Sequence, residues 1–382
     1  MSAAPATGRR PLAIEMVLPT LAAAGMETLV VQVIDGLARR GHSVGVTCII
    51  AEGPLAEQLR AAGHRVSLVP APGLRTNVWP SAVAAHLRRL RVDVAHLHDS
   101  TWLKGARAAR MAGVPRVIGT LHGLESPEPR VNELFRRVAV RLLDAVVPVS
   151  RSLAERLATQ YAVPAERMAL VNNGVELARF RPDAAARGDR GEGLVVGTVA
   201  RLEPIKNQAL LLDAFARVRA RLPGTRLLLV GDGSLRGALE ARAEALGIAP
   251  AVTFAGLRAD TAPVYRELDV FVLCSNLEGT SISLLEAMAS GTPVVGTAVG
   301  GTPALLGEGE YGVLVPPRDP DALAGAIEAL LRDPARRAAL AERARARVCD
   351  EYSTDAMVEG YESLYYGSPT PPLARPEVVC AV

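Results

Sequence analysis

Short apolar runs alternate with amphipathic stretches along this chain, twice over, and that rhythm narrows the fold more than any other feature. In the first half the apolar runs at residues 12–18, 44–50, 66–69, 92–97, 116–120, 145–149 and 169–172 read as strands. Helical patterns at 26–40, 55–62, 79–90, 103–112, 130–143 and 151–160 separate them. Residues 176–193, ELARFRPDAAARGDRGEG, are polar, charged and Gly-containing, and they read as a linker. The alternation then restarts. Strands are expected at 194–200, 226–230, 252–255, 270–274 and 294–297. Helices are expected at 208–221, 235–246, 262–268, 280–290, 321–331, 335–350 and 354–365. Strands joined by helices must lie parallel, with helices on both sheet faces. The expected fold class is therefore α/β: two doubly wound, Rossmann-like parallel-sheet domains at 11–175 and 194–350, facing a cleft that holds a ligand. Residues 1–10 and the Pro-rich 367–382 are expected to be disordered tails.

Composition excludes several classes. The formal net charge of +3 is mild, and no basic run is interleaved with aromatics, so nucleic acid is not an expected partner. Only Lys104 and Lys206 are lysines, and the other basic residues are arginine, a bias that fits a GC-rich bacterial genome. Cys48, Cys274, Cys349 and Cys380 stand far apart with no metal-ligand spacing, as in a reduced, cytoplasmic protein. Arg9-Arg10 before an apolar run imitates an export signal, but Glu15 interrupts that run. No apolar run approaches the ~20 residues of a membrane span.

The stretch most dense in chemistry is 276–301, NLEGTSISLLEAMASGTPVVGTAVGG. Its opening loop should sit at the carboxyl end of the strand at 270–274, where open α/β sheets bind ligands. Thr280 and Ser281 can cap the helix that follows, and the free N–H groups of Thr280, Ser281 and Ile282 make an anion site beside Glu278. Glu286 lies among Leu284, Leu285, Ala287, Met288 and Ala289, on a helix apolar all round. A carboxylate there must be paired. It is held either by local groups or by hydroxyls of a ligand such as a ribose.

Other residues cluster at strand ends. Val199–Asn207, VARLEPIKN, places Arg201 and Lys206 after the first strand of the second half. They are either solvated loop charges or a pair that neutralises a diphosphate. Gly25 and Glu27 open the first helix, in an ordinary turn or one that approaches a ligand. His122 follows a strand, as a satisfied polar residue or facing the cleft. His96, His98 and Asp99 end another strand, where they line an acceptor pocket or hold a metal. VGDGSLRG at 230–237 imitates a dinucleotide fingerprint around Gly231, but its third glycine comes one residue late. Arg130, Arg137 and Arg141 share one helix face, either solvated or set against an anionic membrane.

The stretch at 276–301 resembles the E-x7-E signature of family 4 glycosyltransferases, including the later A-x-G-T-P-V-V and G-G-T-P phrases. The resemblance covers nearly the whole chain and is densest over 194–317. Thr280-Ser281 after the first E-G is a variant associated with exopolysaccharide or cell-envelope members. R-x4-K at 201–206 resembles the family's phosphate pair. T-x-H-G at 120–123 resembles its sugar-contacting phrase, and VTFAGLR, with Leu257 and Arg258, resembles its base-recognising segment. The family has G-G-x-E where this chain has Ala24-Gly25-Met26-Glu27, and N-G-V-D where it has N-G-V-E at 173–176.

The resemblance implies the GT-B architecture, with the donor on the second domain, the acceptor on the first, and a helix at 351–366 crossing back. It implies sugar transfer with retention from a nucleotide sugar, UDP-sugar before others, to a hydroxyl of a glycan, lipid-linked or small-molecule acceptor. No cofactor and no metal are implied, and the expected place is the cytoplasm or the inner face of a membrane. Arg201, Lys206 and the N–H groups at Thr280–Ile282 would steady the departing diphosphate, Glu286 would hold the ribose, and Glu278 and His122 the sugar. Gly25, Glu27, Gly231, Leu257 and Arg258 would complete the binding site. Rival readings are a nucleotide-sugar epimerase on the same fold, a phosphorylase and a non-catalytic sugar-binding protein.

Overall fold

The computed structural model describes residues 9–22, 25–122, 130–183 and 193–367, which form two units. The first contains Met1–Asn173 and Thr354–Val382, and the second Gly174–Ser353.

In the first unit the elements run β1 (Ala13–Leu18), α1 (Gly25–Arg39), β2 (Ser43–Cys48), α2 (Leu55–Ala61), β3 (Arg65–Leu68), α3 (Arg75–Val78), α4 (Ser81–Leu90), β4 (Val94–His98), α5 (Trp102–Ala112), β5 (Arg116–Leu121), α6 (Arg130–Val140), β6 (Ala145–Pro148) and α7 (Arg151–Tyr161). The strands pair in parallel in the order β3-β2-β1-β4-β5-β6. The central strands are buried along nearly their whole length because helices cover both faces, which is why they read as largely apolar runs.

The second unit repeats the plan: β7 (Val195–Val199), α8 (Gln208–Arg221), β8 (Arg226–Val230), α9 (Arg236–Ala245), β9 (Val252–Phe254), α10 (Ala262–Glu267), β10 (Val270–Leu273), α11 (Ile282–Ala289), β11 (Val294–Thr297), α12 (Thr302–Leu305), β12 (Val313–Val315), α13 (Pro320–Arg332) and α14 (Pro334–Glu351). Its parallel order is β12-β11-β10-β7-β8-β9. Each sheet thus reverses its winding once, between β1 and β4 and between β7 and β10. The crevice outside the carboxyl ends at such a reversal is where open α/β sheets take ligands.

The last helix, α15 (Thr354–Tyr365), packs on α1 in the first unit. Gly36 makes that approach possible, since a Cβ there would lie 2.5 Å from Val358 Cγ2. Arg40 donates to Glu362 at 2.6 Å, and His42 Nε2 lies 2.9 Å from the same carboxylate.

Several expectations need correction. The helix expected over 79–90 is α4, which starts at Ser81 just after Pro80, and a short helix that was not expected, α3, precedes it at Arg75–Val78. Residues 169–172 form no strand. Met168 makes one isolated bridge to Val146, and Val171 packs against Gly360 of α15 instead of joining a ladder. The linker expected over 176–193 begins as folded core: Phe180 is buried against Tyr265, and its N–H donates to the Glu176 carbonyl. Its remainder, 184–192, lies outside the described residues. Of the two tails, 1–8 and 368–382 also lie outside them, but Arg10 pairs with Asp93 and Arg9 lies over the Tyr366 ring. β12 and α12 were not expected at all.

Candidate functional site

In the second unit, two loops flank the reversal between β7 and β10. After β7 the chain makes a short 3-10 turn, Pro204–Lys206, and Asn207 takes a left-handed φ of 49° before α8. After β10 comes the loop 275–281. Asn276 ties the two together. Its N–H donates to the Ile205 carbonyl at 2.8 Å, and its side chain bonds Asn207 and the Pro204 carbonyl. The result brings Lys206 Nζ to 2.6 Å from Glu278 Oε2, and Ser275 Oγ donates to the same oxygen at 2.8 Å. Both charged side chains are largely buried, at 19% and 10% exposed. Removing either partner leaves the other charge poorly compensated.

The glycines of 300–301 are explained by this loop. A Cβ on Gly300, whose φ is +54°, would lie 1.8 Å from the Glu278 carbonyl, and one on Gly301 would lie 2.4 Å from the Gly279 carbonyl. Gly301 N–H donates to the Glu278 carbonyl. The two loops therefore pack backbone on backbone, which no side chain would permit. Ser281 caps α11 by accepting from Leu284 N–H, so the first turn of that helix opens beside Glu278.

Gly231 does a related job on the other side of β7. Its φ is +134°, and a Cβ would lie 2.0 Å from the Ala200 carbonyl. The fingerprint-like phrase thus lets the loop after β8 close on the loop after β7, with Leu202 N–H donating to the Asp232 carbonyl and Ser234 bonding Glu203. Arg201 lies in that layer with its side chain exposed, and its carbonyl accepts from Gln208. Leu257 is 78% exposed, and Arg258 is also exposed, after β9.

Glu286 has a different neighbourhood. Tyr265 of α10 donates its phenol to Glu286 Oε2 at 2.6 Å. Burial pushes the carboxyl up to about 7, against the hydrogen bonds from Tyr265 and Thr261 and the nearby Arg179 charge. Arg179 itself pairs with Asp260. The sequence pattern did not single out Tyr265, Ser275, Asn276 or Arg179. The scarcity of aromatics, at 4%, is the one signal in the sequence that sets Tyr265 apart.

In the first unit the matching reversal lies between β1 and β4. Gly25 opens α1 with free space around its Cβ position, and residues 23–24, including the Ala24 of the expected turn, lie outside the described residues. Glu27 is buried, and burial raises its carboxyl pKa, with the Asp99 charge adding to the effect. Asp99 holds a left-handed φ of 45° at the end of β4, and its Oδ1 accepts from His122 N–H at 2.8 Å. His122 Nε2 lies 3.0 Å from His98 Nδ1, and burial holds both rings below the usual histidine range. His96 bonds Tyr365 of α15 and Thr120, each at 2.7 Å. Among the described residues no group of side chains has the geometry of a metal site. The T-x-H-G phrase continues into Gly123, outside the described residues. Arg137 pairs with Glu133, which neutralises part of the basic face expected on α6, and the Arg130 side chain is not described.

Comparison with known proteins bears on the whole of this architecture. A sequence model described as Glycosyltransferase Family 4 matches residues 23–179, and one described as Glycosyl transferases group 1 matches 193–333. The chain is 33% identical to a GDP-mannose-dependent alpha-(1-6)-phosphatidylinositol monomannoside mannosyltransferase of Mycobacterium tuberculosis, over 78% of this chain and 82% of that protein. It is also 33% identical to the D-inositol 3-phosphate glycosyltransferase of Stackebrandtia nassauensis, over 89% and 86%. Anabaena HepE, solved in complex with UDP-glucose, superposes with a TM-score of 0.77 at 25% identity, covering 93% of this chain and 100% of that one. A glycosyltransferase from Rickettsia africae shares the fold at a TM-score of 0.83 and 17% identity, over 94% and 99%. Matched in both halves and related along most of its length, the chain belongs to the family 4 glycosyltransferases and has their GT-B fold.

Proposed function

We propose that this glycosyltransferase moves a sugar from a nucleotide diphosphate donor, UDP-sugar first among them, to a hydroxyl of a glycan, lipid-linked or small-molecule acceptor, with retention and without a bound metal. The reading includes a cytoplasmic place of action, at or near the inner face of a membrane. The observation that carries it is the Lys206–Glu278 pair at the winding reversal of the second sheet, beside the capped start of α11. Such a layout suits a diphosphate: N–H groups and an ammonium for its oxygens, and a carboxylate for sugar hydroxyls. In the proposed step the bond between the anomeric carbon and the diphosphate oxygen breaks. The acceptor oxygen forms the new bond on the same face, and its proton passes to the leaving phosphate. Arg201 and Lys206 stabilise the charge that grows on the diphosphate. Glu286 accepts from the ribose hydroxyls, and Leu257 and Arg258 border the base. Gly25 and Glu27 belong to the acceptor side, and His122 meets the transferred sugar.

A guanine donor is the second reading, favoured by the relative named as GDP-mannose-dependent. Thermal-shift titration with UDP-, GDP- and ADP-sugars decides between the bases, since a ligand that binds the folded state raises its melting temperature. A rise with one nucleotide family, followed by sugar transfer from that donor, is the expected outcome. Donor turnover with no acceptor requirement would assign the protein to the epimerase reading instead.

A further inference from the structure

We infer that α3 and its flanking residues Leu74 and Trp79 form a docking surface for an anionic phospholipid bilayer. The four residues of α3 include no buried side chain. Leu74, Val78 and Trp79 are 69%, 61% and 67% exposed. Scattered apolar residues on a surface need no explanation, but three within six positions of one short element do.

The element is firmly held in spite of this. Arg107 Nε of α5 donates to the Val78 carbonyl at 2.8 Å, and Lys104 Nζ donates to the Ala71 carbonyl at 2.6 Å. Thr76 Oγ1 bonds carbonyls at 71–73. Polar groups thus fasten the backbone while the apolar side chains stay in water, the reverse of how an amphipathic helix joins a core.

The charge around the patch chooses the occupant. Residues 58–92 contain six arginines and no aspartate or glutamate, but Arg60 pairs with Glu52 and Arg65 with Glu15, so those two charges are already met. Arg75 lies within α3 and has no ion-pair partner among the described residues. Apolar anchors with an exposed tryptophan, set around the exposed Arg75, match the headgroup region of an anionic bilayer. A cavity of about 270 Å³ lies beside the patch, with Leu74, Asn77, Asp99, Ser100 and Arg136 in its wall, at the carboxyl end of β4. On the glycosyl-transfer reading, an acceptor anchored in the bilayer could place its polar head there. The docking surface itself does not depend on that reading.

The chain carries its own probe. Of its two tryptophans Trp102 is buried and Trp79 exposed, so a blue shift on adding vesicles reports Trp79. The full chain is mixed with vesicles of phosphatidylcholine alone or with phosphatidylglycerol, and binding is read by that shift and by co-sedimentation. The expected result is binding to the anionic vesicles, weakened by salt. Leu74→Ser with Val78→Ser, and separately Arg75→Glu, should each lower the partition coefficient roughly tenfold. Both variants alter exposed side chains, so their melting temperature and donor-induced thermal shift should match wild type. Absence of a blue shift overturns the proposal, as does binding that the substitutions leave unchanged. Concentration-dependent dimerisation through this face without vesicle binding also overturns it and gives the surface to a second copy. Vesicle binding without any donor-induced shift would leave the docking surface standing and refute the transfer reading.

Discussion

Replacing Glu286 with Gln should make the ligand-free protein more stable at alkaline pH while impairing its use of donor. The folded state holds this carboxyl at about 7, against an ordinary value of 4.5, chiefly because the helix around it is apolar. A group whose folded pKa is raised contributes stability that is fully present below its unfolded pKa and is lost as pH rises through the folded one. The loss therefore runs from about pH 4.5 to about pH 7. Its full size is about 3 kcal/mol at ~1.4 kcal/mol per pKa unit. Glutamine keeps an acceptor for the Tyr265 phenol and carries no charge to desolvate. The variant should match wild type near pH 4.5 and exceed it by about 3 kcal/mol at pH 8, which is ~6–12 °C for a unit of this size. Urea and thermal unfolding of both proteins across that pH range measure the difference. On the ribose-binding reading, nucleotide diphosphate should also bind more tightly as pH rises through 7, because the ionised carboxylate is the better acceptor. If Glu286→Gln shows the same pH dependence of stability as wild type, the buried-carboxylate argument is wrong.

Two further outcomes follow from the loops. On the proposed reading Lys206→Ala removes the cation that meets the diphosphate, and it leaves the Glu278 carboxylate with Ser275 alone, so kcat/KM should fall by about 10²–10³ in steady-state assays, with kcat carrying much of it; an unchanged kcat would confine Lys206 to ground-state binding. Gly300→Ala forces a Cβ into the Glu278 carbonyl from a left-handed backbone, and should cost about 1–3 kcal/mol of stability and most donor binding; wild-type melting and affinity in this variant would show that the loop contact is dispensable.

Long periodic elements could be read from the chain because local pattern decides them. α8, β8, β11 and α15 begin and end where the apolar rhythm does. β12 escaped because three residues, Val313–Val315, carry no period, and only their pairing with β11 makes them a strand. Residues 169–172 look like a strand by the same local test, yet their partner is α15, far away in sequence. The site divides in the same way. Glu278, Glu286, Arg201 and Lys206 stood out as charged residues at strand ends or on an apolar helix. Their partners did not, since Tyr265 reaches Glu286 across two helices and Lys206 meets Glu278 across 72 positions. Gly231 looked like part of a ligand-binding turn and Gly300-Gly301 stood only in the G-G-T-P phrase, and the structure gives all three a duty in packing one loop on another.

The division of labour between the two glutamates is the account's central claim, and calorimetric titration of Glu278→Ala and Glu286→Ala with nucleotide diphosphate and with intact nucleotide sugar tests it most directly. Glu286→Ala should weaken both ligands alike, by about 1.5–3 kcal/mol for lost charged hydrogen bonds. Glu278→Ala should weaken the intact donor and leave nucleotide diphosphate nearly unchanged. If Glu278→Ala loses nucleotide diphosphate as severely as Glu286→Ala does, the sugar and ribose roles are not divided between these residues.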